Sequence, residues 1–131
     1  MKAIVFAETG GPEVLTLAEA PKPSPRPGSV LIKNHAIGVN FADTRFRQGL
    51  YTVKPKLPDI PGMEVAGVVE AVGEGVTNVR PGMRVAAFTS RAYAEYCVSP
   101  SFMAGAYRGC PVTAGEPPSA EIPAHLARGV D

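Results

Sequence analysis

With 13 basic and 12 acidic residues, the 131-residue chain has a net charge of +1, so no field points to nucleic acid or to an anionic membrane. That length suits one domain with a true core, burying about two thirds of the unfolded surface. The apolar opening, Met1 to Phe6, meets Glu8 and Gly10-Gly11 before a signal-peptide core or a membrane span can form, so a cytoplasmic location without membrane partners is expected.

Short β-branched runs separated by Gly and Pro dominate the first hundred residues, which predicts a mainly β barrel or sandwich of about six strands. Ile4–Phe6 and Val14–Leu17 flank a Thr9-Gly10-Gly11-Pro12 turn and are expected to pair. Pro21 to Gly28 has too few backbone donors for a ladder and is an extended connection. Val30–Val39 reads as a long strand. From Asn40 to Gln48 the period changes, with Phe41, Thr44 and Arg45 at helical spacing and Gly49 as a stop, so one or two helical turns start at an Asn40 N-cap. Pro55, Pro58 and Pro61 make residues 50–61 a wrapping loop.

Val65–Val72 is the next strand, and Gly67 within it predicts a kink or a close backbone approach. Gly73-Glu74-Gly75-Val76 reads as a turn. Pro81-Gly82 suits a type II turn joining a short strand at Val79 to Arg84–Phe88, and Ala92–Ser99 alternates as a last strand. After Phe102, fourteen Gly, Pro or Ala residues without an apolar period predict an irregular or disordered tail over residues 102–131. Cys97, Cys110, His35 and His125 are scattered and fall short of a zinc framework, so the thiols read as reduced and structural.

Three segments together carry a family signature: Gly38 to Tyr51 (GVNFADTRFRQGLY), Pro61 to Gly73 (PGMEVAGVVEAVG) and Val79 to Val85 (VRPGMRV). In order and spacing they resemble the medium-chain dehydrogenase/reductase superfamily, in its zinc-free quinone oxidoreductase (zeta-crystallin-like) branch. Met1–Gly11 and Ala92–Tyr96 look like the same family, so the resemblance covers residues 1–101. It implies a GroES-like β-barrel with one or two short helices, forming one wall of a cleft in which NADPH reduces a quinone or an enone.

Zinc-dependent relatives have Cys where this chain has Asn40 and His where it has Met63, neither of which here suits zinc. Without a metal, hydrogen bonds must polarise the substrate carbonyl. The resemblance places Asn40 and Tyr51 beside nicotinamide and substrate as catalytic donors, with Phe41, Asp43 and Arg45 as pocket residues. Bland readings stand beside these. Asn40 serves as an N-cap whether or not it also donates. Asp43 is equally a loop-holding carboxylate paired with Arg45 or Arg47, and Tyr51 by itself is a packing residue with a wet hydroxyl. Glu64 and His35 read as structural.

No G-x-G-x-x-G follows a strand and opens a helix anywhere in the chain. The expectation is a substrate-binding domain without its nucleotide-binding partner domain, binding no NADPH by itself and inactive or weakly active alone. The tail reads as a frame-shifted or a natural ending. The alternative is a non-catalytic binding or self-assembly module, forming homo-oligomers through exposed barrel surface.

Overall fold

The computed structural model of the protein describes residues 1–106. Seven strands and one α-helix follow in chain order: β1 (Lys2–Val5), β2 (Thr16–Glu19), β3 (Ser29–Ile37), α1 (Phe41–Arg47), β4 (Glu64–Val72), β5 (Arg84–Phe88), β6 (Tyr96–Pro100) and β7 (Ala104–Ala106). β1 and β2 form a small antiparallel ribbon. The other five strands form one antiparallel sheet in the order β6-β3-β4-β5-β7.

Sequence periodicity explains which face is buried. Val65, Gly67 and Val69 of β4, Val85 and Ala87 of β5, and Cys97 and Ser99 of β6 sit two residues apart and point to one side. Together with Val30, Ile32, Val79, Ala92 and Ala104 their apolar members make one core. β3 departs from alternation: Ser29, Val30, Leu31 and Ile32 are all buried, whereas most of its second half is exposed. β6 pairs only with residues 29–33, so the first half is central in the sheet and the second half is not.

That a single sheet encloses its own core requires curvature. Register shifts between Leu31 and Ile32 and between Asn34 and Ala36 bend β3 against β4. Gly67 lies at this bend, where a Cβ would strike the Lys33 carbonyl oxygen. The curl brings the end of β5 to β6: the Thr89 hydroxyl donates to the Val98 carbonyl at 3.0 Å and the Ser99 hydroxyl to that of Phe88 at 3.2 Å. The result is a GroES-like half-barrel, mainly β with one helix.

Several boundaries differ from the sequence reading. Pro12 opens a 3-10 turn over Pro12–Val14, so the strand expected at Val14–Leu17 begins at Thr16 instead. The Pro81-Gly82 turn forms, with Gly82 at φ +88° and the Met83 N–H on the Arg80 carbonyl, but no strand precedes it at Val79. The last expected strand starts only at Tyr96, because Ala92–Glu95 crosses to β1 and makes a single bridge, Ala94 with Ala3. β7 pairs with β5 where only irregular chain was expected, and raises six strands to seven among the described residues. The remainder of the expected tail, with Cys110 and His125, lies outside the described residues.

The proline-rich connection forms no ladder, as its composition requires. Lys22 holds it to the sheet by pairing with Glu70 and by lying 3.9 Å from the centre of the Tyr96 ring.

Candidate functional site

The helix and the loop after it are anchored before any site is formed. Phe6 is fully buried and meets Phe46 of α1 edge-to-face, at 5.8 Å and 78°. Residues Phe6 and Asp59 exchange both backbone hydrogen bonds, at 3.0 and 2.9 Å, which ties the far end of the proline-rich loop to the first strand. Gly10 and Arg47 likewise bond in both directions, Arg47 Nε donating to the Gly10 carbonyl at 3.1 Å. At the end of α1, Gly49 adopts φ +70° and the Leu50 and Tyr51 N–H groups return to the Arg45 carbonyl.

This turn delivers Tyr51 to a cleft of about 440 Å³. Phe46, Tyr51, Val53, Ile60, Met63 and Phe88 give it an apolar and aromatic lining, and Thr89 and Ser90 add hydroxyl groups. Such a mixture, apolar with a few convergent polar groups, is the usual character of a small-molecule site. Lys54, Lys56 and Arg91 also line it, against one carboxylate, Asp59. Asp59 is buried and well partnered. Its Oδ2 accepts from the Lys56 N–H, and its Oδ1 from the Ile60 N–H and from Arg91 Nη1 at 2.7 Å.

The other predicted site residues are placed differently. Asn40 is the N-cap of α1, at the end remote from Tyr51; seven residues of helix separate them, roughly 10 Å along the axis. It does not line the cleft among the described residues. Asp43 is buried and accepts the Asn40 N–H at 2.9 Å and the Tyr93 hydroxyl at 3.0 Å, both on Oδ2; Oδ1 is buried without a hydrogen-bond partner. Its partners are thus a backbone donor and a phenol. Arg47 is partly buried and engaged with Gly10, whereas Arg45 lies 5.8 Å from the Phe41 ring, and Phe41 and Arg45 are both exposed. Glu64 and His35 are exposed and outside the cleft.

Burial sets the protonation of two groups nearby. Tyr93 is pushed up to about 12, first by desolvation and then by its bond to Asp43, with Arg47 opposing. It therefore remains a donor across the neutral range. Cys97 is pushed up to about 11, chiefly by burial in the core, and its thiol donates to Asn34 Oδ1 at 3.3 Å. An inert structural thiol fits that environment.

Sequence reasoning missed Asp59 and Arg91. They are 32 positions apart, and nothing local marks them as partners. The one usable signal was Pro58-Asp59 closing a proline-rich loop, since a buried carboxylate there needs a cation.

Residues 26–125 match the alcohol dehydrogenase GroES-like domain. A quinone oxidoreductase of Rattus norvegicus is 48% identical over 102 residues, covering 76% of this chain and 31% of the relative. One of Pseudomonas aeruginosa is 49% identical over 96 residues, covering 72% of this chain and 29% of the relative. The crystal structure of the Escherichia coli quinone oxidoreductase complexed with NADPH superposes with a TM-score of 0.77 at 37% identity, over 81% of this chain and 33% of that one. The chain thus spans about a third of the length of these relatives.

Whether the described residues suit that cofactor is a matter of geometry. All their strand pairings are antiparallel, so no parallel strand runs through a glycine turn into a helix. At the start of α1 the Asn40 N–H is taken by the Asp43 carboxylate, and Gly73–Val76 turns without a helix after it. The described residues therefore form no strand–turn–helix cradle of the kind that holds a pyrophosphate.

Proposed function

The chain belongs to the alcohol dehydrogenase GroES-like domain family, as a quinone oxidoreductase-like member, and on that premise we propose that it supplies the substrate-facing wall of a quinone or enone oxidoreductase. The single observation that carries this reading is the Tyr51 phenol set in an apolar, aromatic-lined cleft. A planar ring packs on Phe46, Met63 and Phe88, and the phenol donates to its carbonyl oxygen. That bond strengthens as negative charge develops on the oxygen during reduction.

Asn40 lies at the other end of α1, outside this cleft, so its proposed role there is to cap the helix, with Asp43 holding it through the Asn40 N–H, rather than to donate to the bound ring. Phe41, in the first turn of the helix, and Arg45, in its last, pack together on its exposed face and are proposed as substrate-pocket residues. The chemistry is proposed to need no metal: Asn and Met stand at positions 40 and 63, and the described residues include no cluster of three or more His, Cys, Asp or Glu suited to a metal. NADPH is the proposed hydride donor of the complete reaction, by similarity to the NADPH-complexed E. coli enzyme. The proposed operating place is the cytoplasm; no helix among the described residues is long and apolar enough to cross a membrane.

Titration of the chain with a para-quinone, followed by tyrosine fluorescence, tests the reading, since tryptophan is absent. Tyr51→Phe removes one neutral hydrogen bond and is expected to weaken binding about two- to tenfold. Unchanged affinity in that variant contradicts the assignment.

A second reading has its own observation. A depression of about 450 Å³ is lined by Ile4, Leu17, Ile37 and Val39, and Leu17 and Val39 are 68% and 80% exposed. Self-association through this face would make the chain an assembly module. Sedimentation decides between them: a monomer at all concentrations leaves the cleft reading alone.

A further inference from the structure

Arg91 is the one non-glycine residue at positive φ (+60°) among the described residues, a conformation that disfavours any side chain bearing a Cβ. A glycine there would be relaxed. The arginine is held by its own side chain, through Nη1 on Asp59 Oδ1 at 2.7 Å, and Asp59 is fixed in turn by the Lys56 and Ile60 N–H groups. A guanidinium has five N–H donors in a rigid fork, and this contact uses one. Lys56 has no side-chain partner among the described residues, and Lys54 donates to the Gly49 carbonyl at 2.7 Å. Three cations therefore line a cleft that holds a single carboxylate, which already accepts three hydrogen bonds.

An arginine needed only to neutralise Asp59 would not require company from two lysines. We propose that the cleft selects a ligand carrying an anionic group, taken by the free edge of Arg91 with Lys54 and Lys56 while its planar body lies over Tyr51, Met63 and Phe88. This rests on the quinone-cleft reading and narrows its substrate class to acidic quinones or enones. A phosphate of the nicotinamide cofactor offers the same chemistry, so the test must separate the two sources.

The full chain and its Arg91→Gly variant are titrated with anthraquinone-2-carboxylate, with neutral 2-hydroxymethylanthraquinone and with NADPH, at low and high salt. Glycine suits the backbone at 91, and circular dichroism checks the fold; a Lys54→Gln/Lys56→Gln double variant repeats the test with the arginine intact. The carboxylate is expected to bind about tenfold tighter than the alcohol, a ratio that charge-assisted hydrogen bonds supply. That ratio falls toward one in either variant and at high salt. Arg91-dependent binding of NADPH alone supports the anion site but overturns the acidic-quinone assignment, giving the anion to the cofactor. Equal binding of acid and alcohol, with no ligand depending on Arg91, overturns the proposal. Failure of both anthraquinones to bind, with NADPH indifferent to Arg91, overturns the quinone-cleft reading and this proposal with it.

Discussion

Asp43 shows how one side chain holds several roles together. A single carboxylate oxygen receives a helix-capping N–H and a phenol 50 residues away, linking the start of α1 to the segment before β6. Asp43→Ala leaves both donors short of an acceptor in a buried place. We expect a loss of about 1–3 kcal/mol in urea unfolding, with Asp43→Asn milder because an acceptor remains. Tyr93 gives a pH signature. Its folded value is raised above the ordinary 10 to about 12, so its contribution is complete below pH 10 and is lost as pH rises through 12. Cys97, raised from 9 to about 11, adds a loss beginning near pH 9. Alkaline titration of unfolding free energy is expected to fall between pH 9 and 12, and to fall less steeply in Tyr93→Phe. The local half of this arrangement was legible only in the Asn40 N-cap, since Asp43 read as a partner for Arg45 or Arg47 and not for the Asn40 N–H. Its other half was not: a phenol 50 positions on carries no local mark.

At the scale of elements, legibility followed the range of the interaction that decides each boundary. α1 is written into Asn40 and Gly49, which flank it within two residues of its ends. The proline-rich stretches announced themselves as connections for lack of donors. Ala92–Glu95 alternates as a strand does, yet it is drawn off to β1, where the Ile4 N–H donates to the Tyr93 carbonyl and the Glu95 N–H to that of Lys2. Gly67 is the most exacting position in β4, because a methyl group there meets backbone of β3 rather than a yielding side chain. Gly67→Ala is expected to destabilise by about 1–3 kcal/mol. Gly105, with open space around it and no positive φ, is the control; alanine there is expected to change stability by less than about 0.5 kcal/mol. Thermal unfolding of the two variants side by side checks both.

For the whole molecule, a curled sheet closes on itself through two hydroxyl groups and leaves the helix and proline loop to build a cleft on its rim. The fold class was legible because strand length, punctuation and the three family segments agree. The cleft's location was not, because Tyr51, Met63 and the Phe88–Arg91 segment come from three stretches that only the curvature brings together. Two surfaces compete for a functional role, the Tyr51 cleft and the apolar depression at Leu17 and Val39. Amide chemical-shift mapping of the labelled chain during titration with a soluble quinone separates them most directly. The account predicts shifts concentrated at Tyr51, Met63, Phe88 and Thr89, weakened in Tyr51→Phe. Shifts centred on Ile4, Leu17 and Val39, or none at saturating ligand, would contradict it.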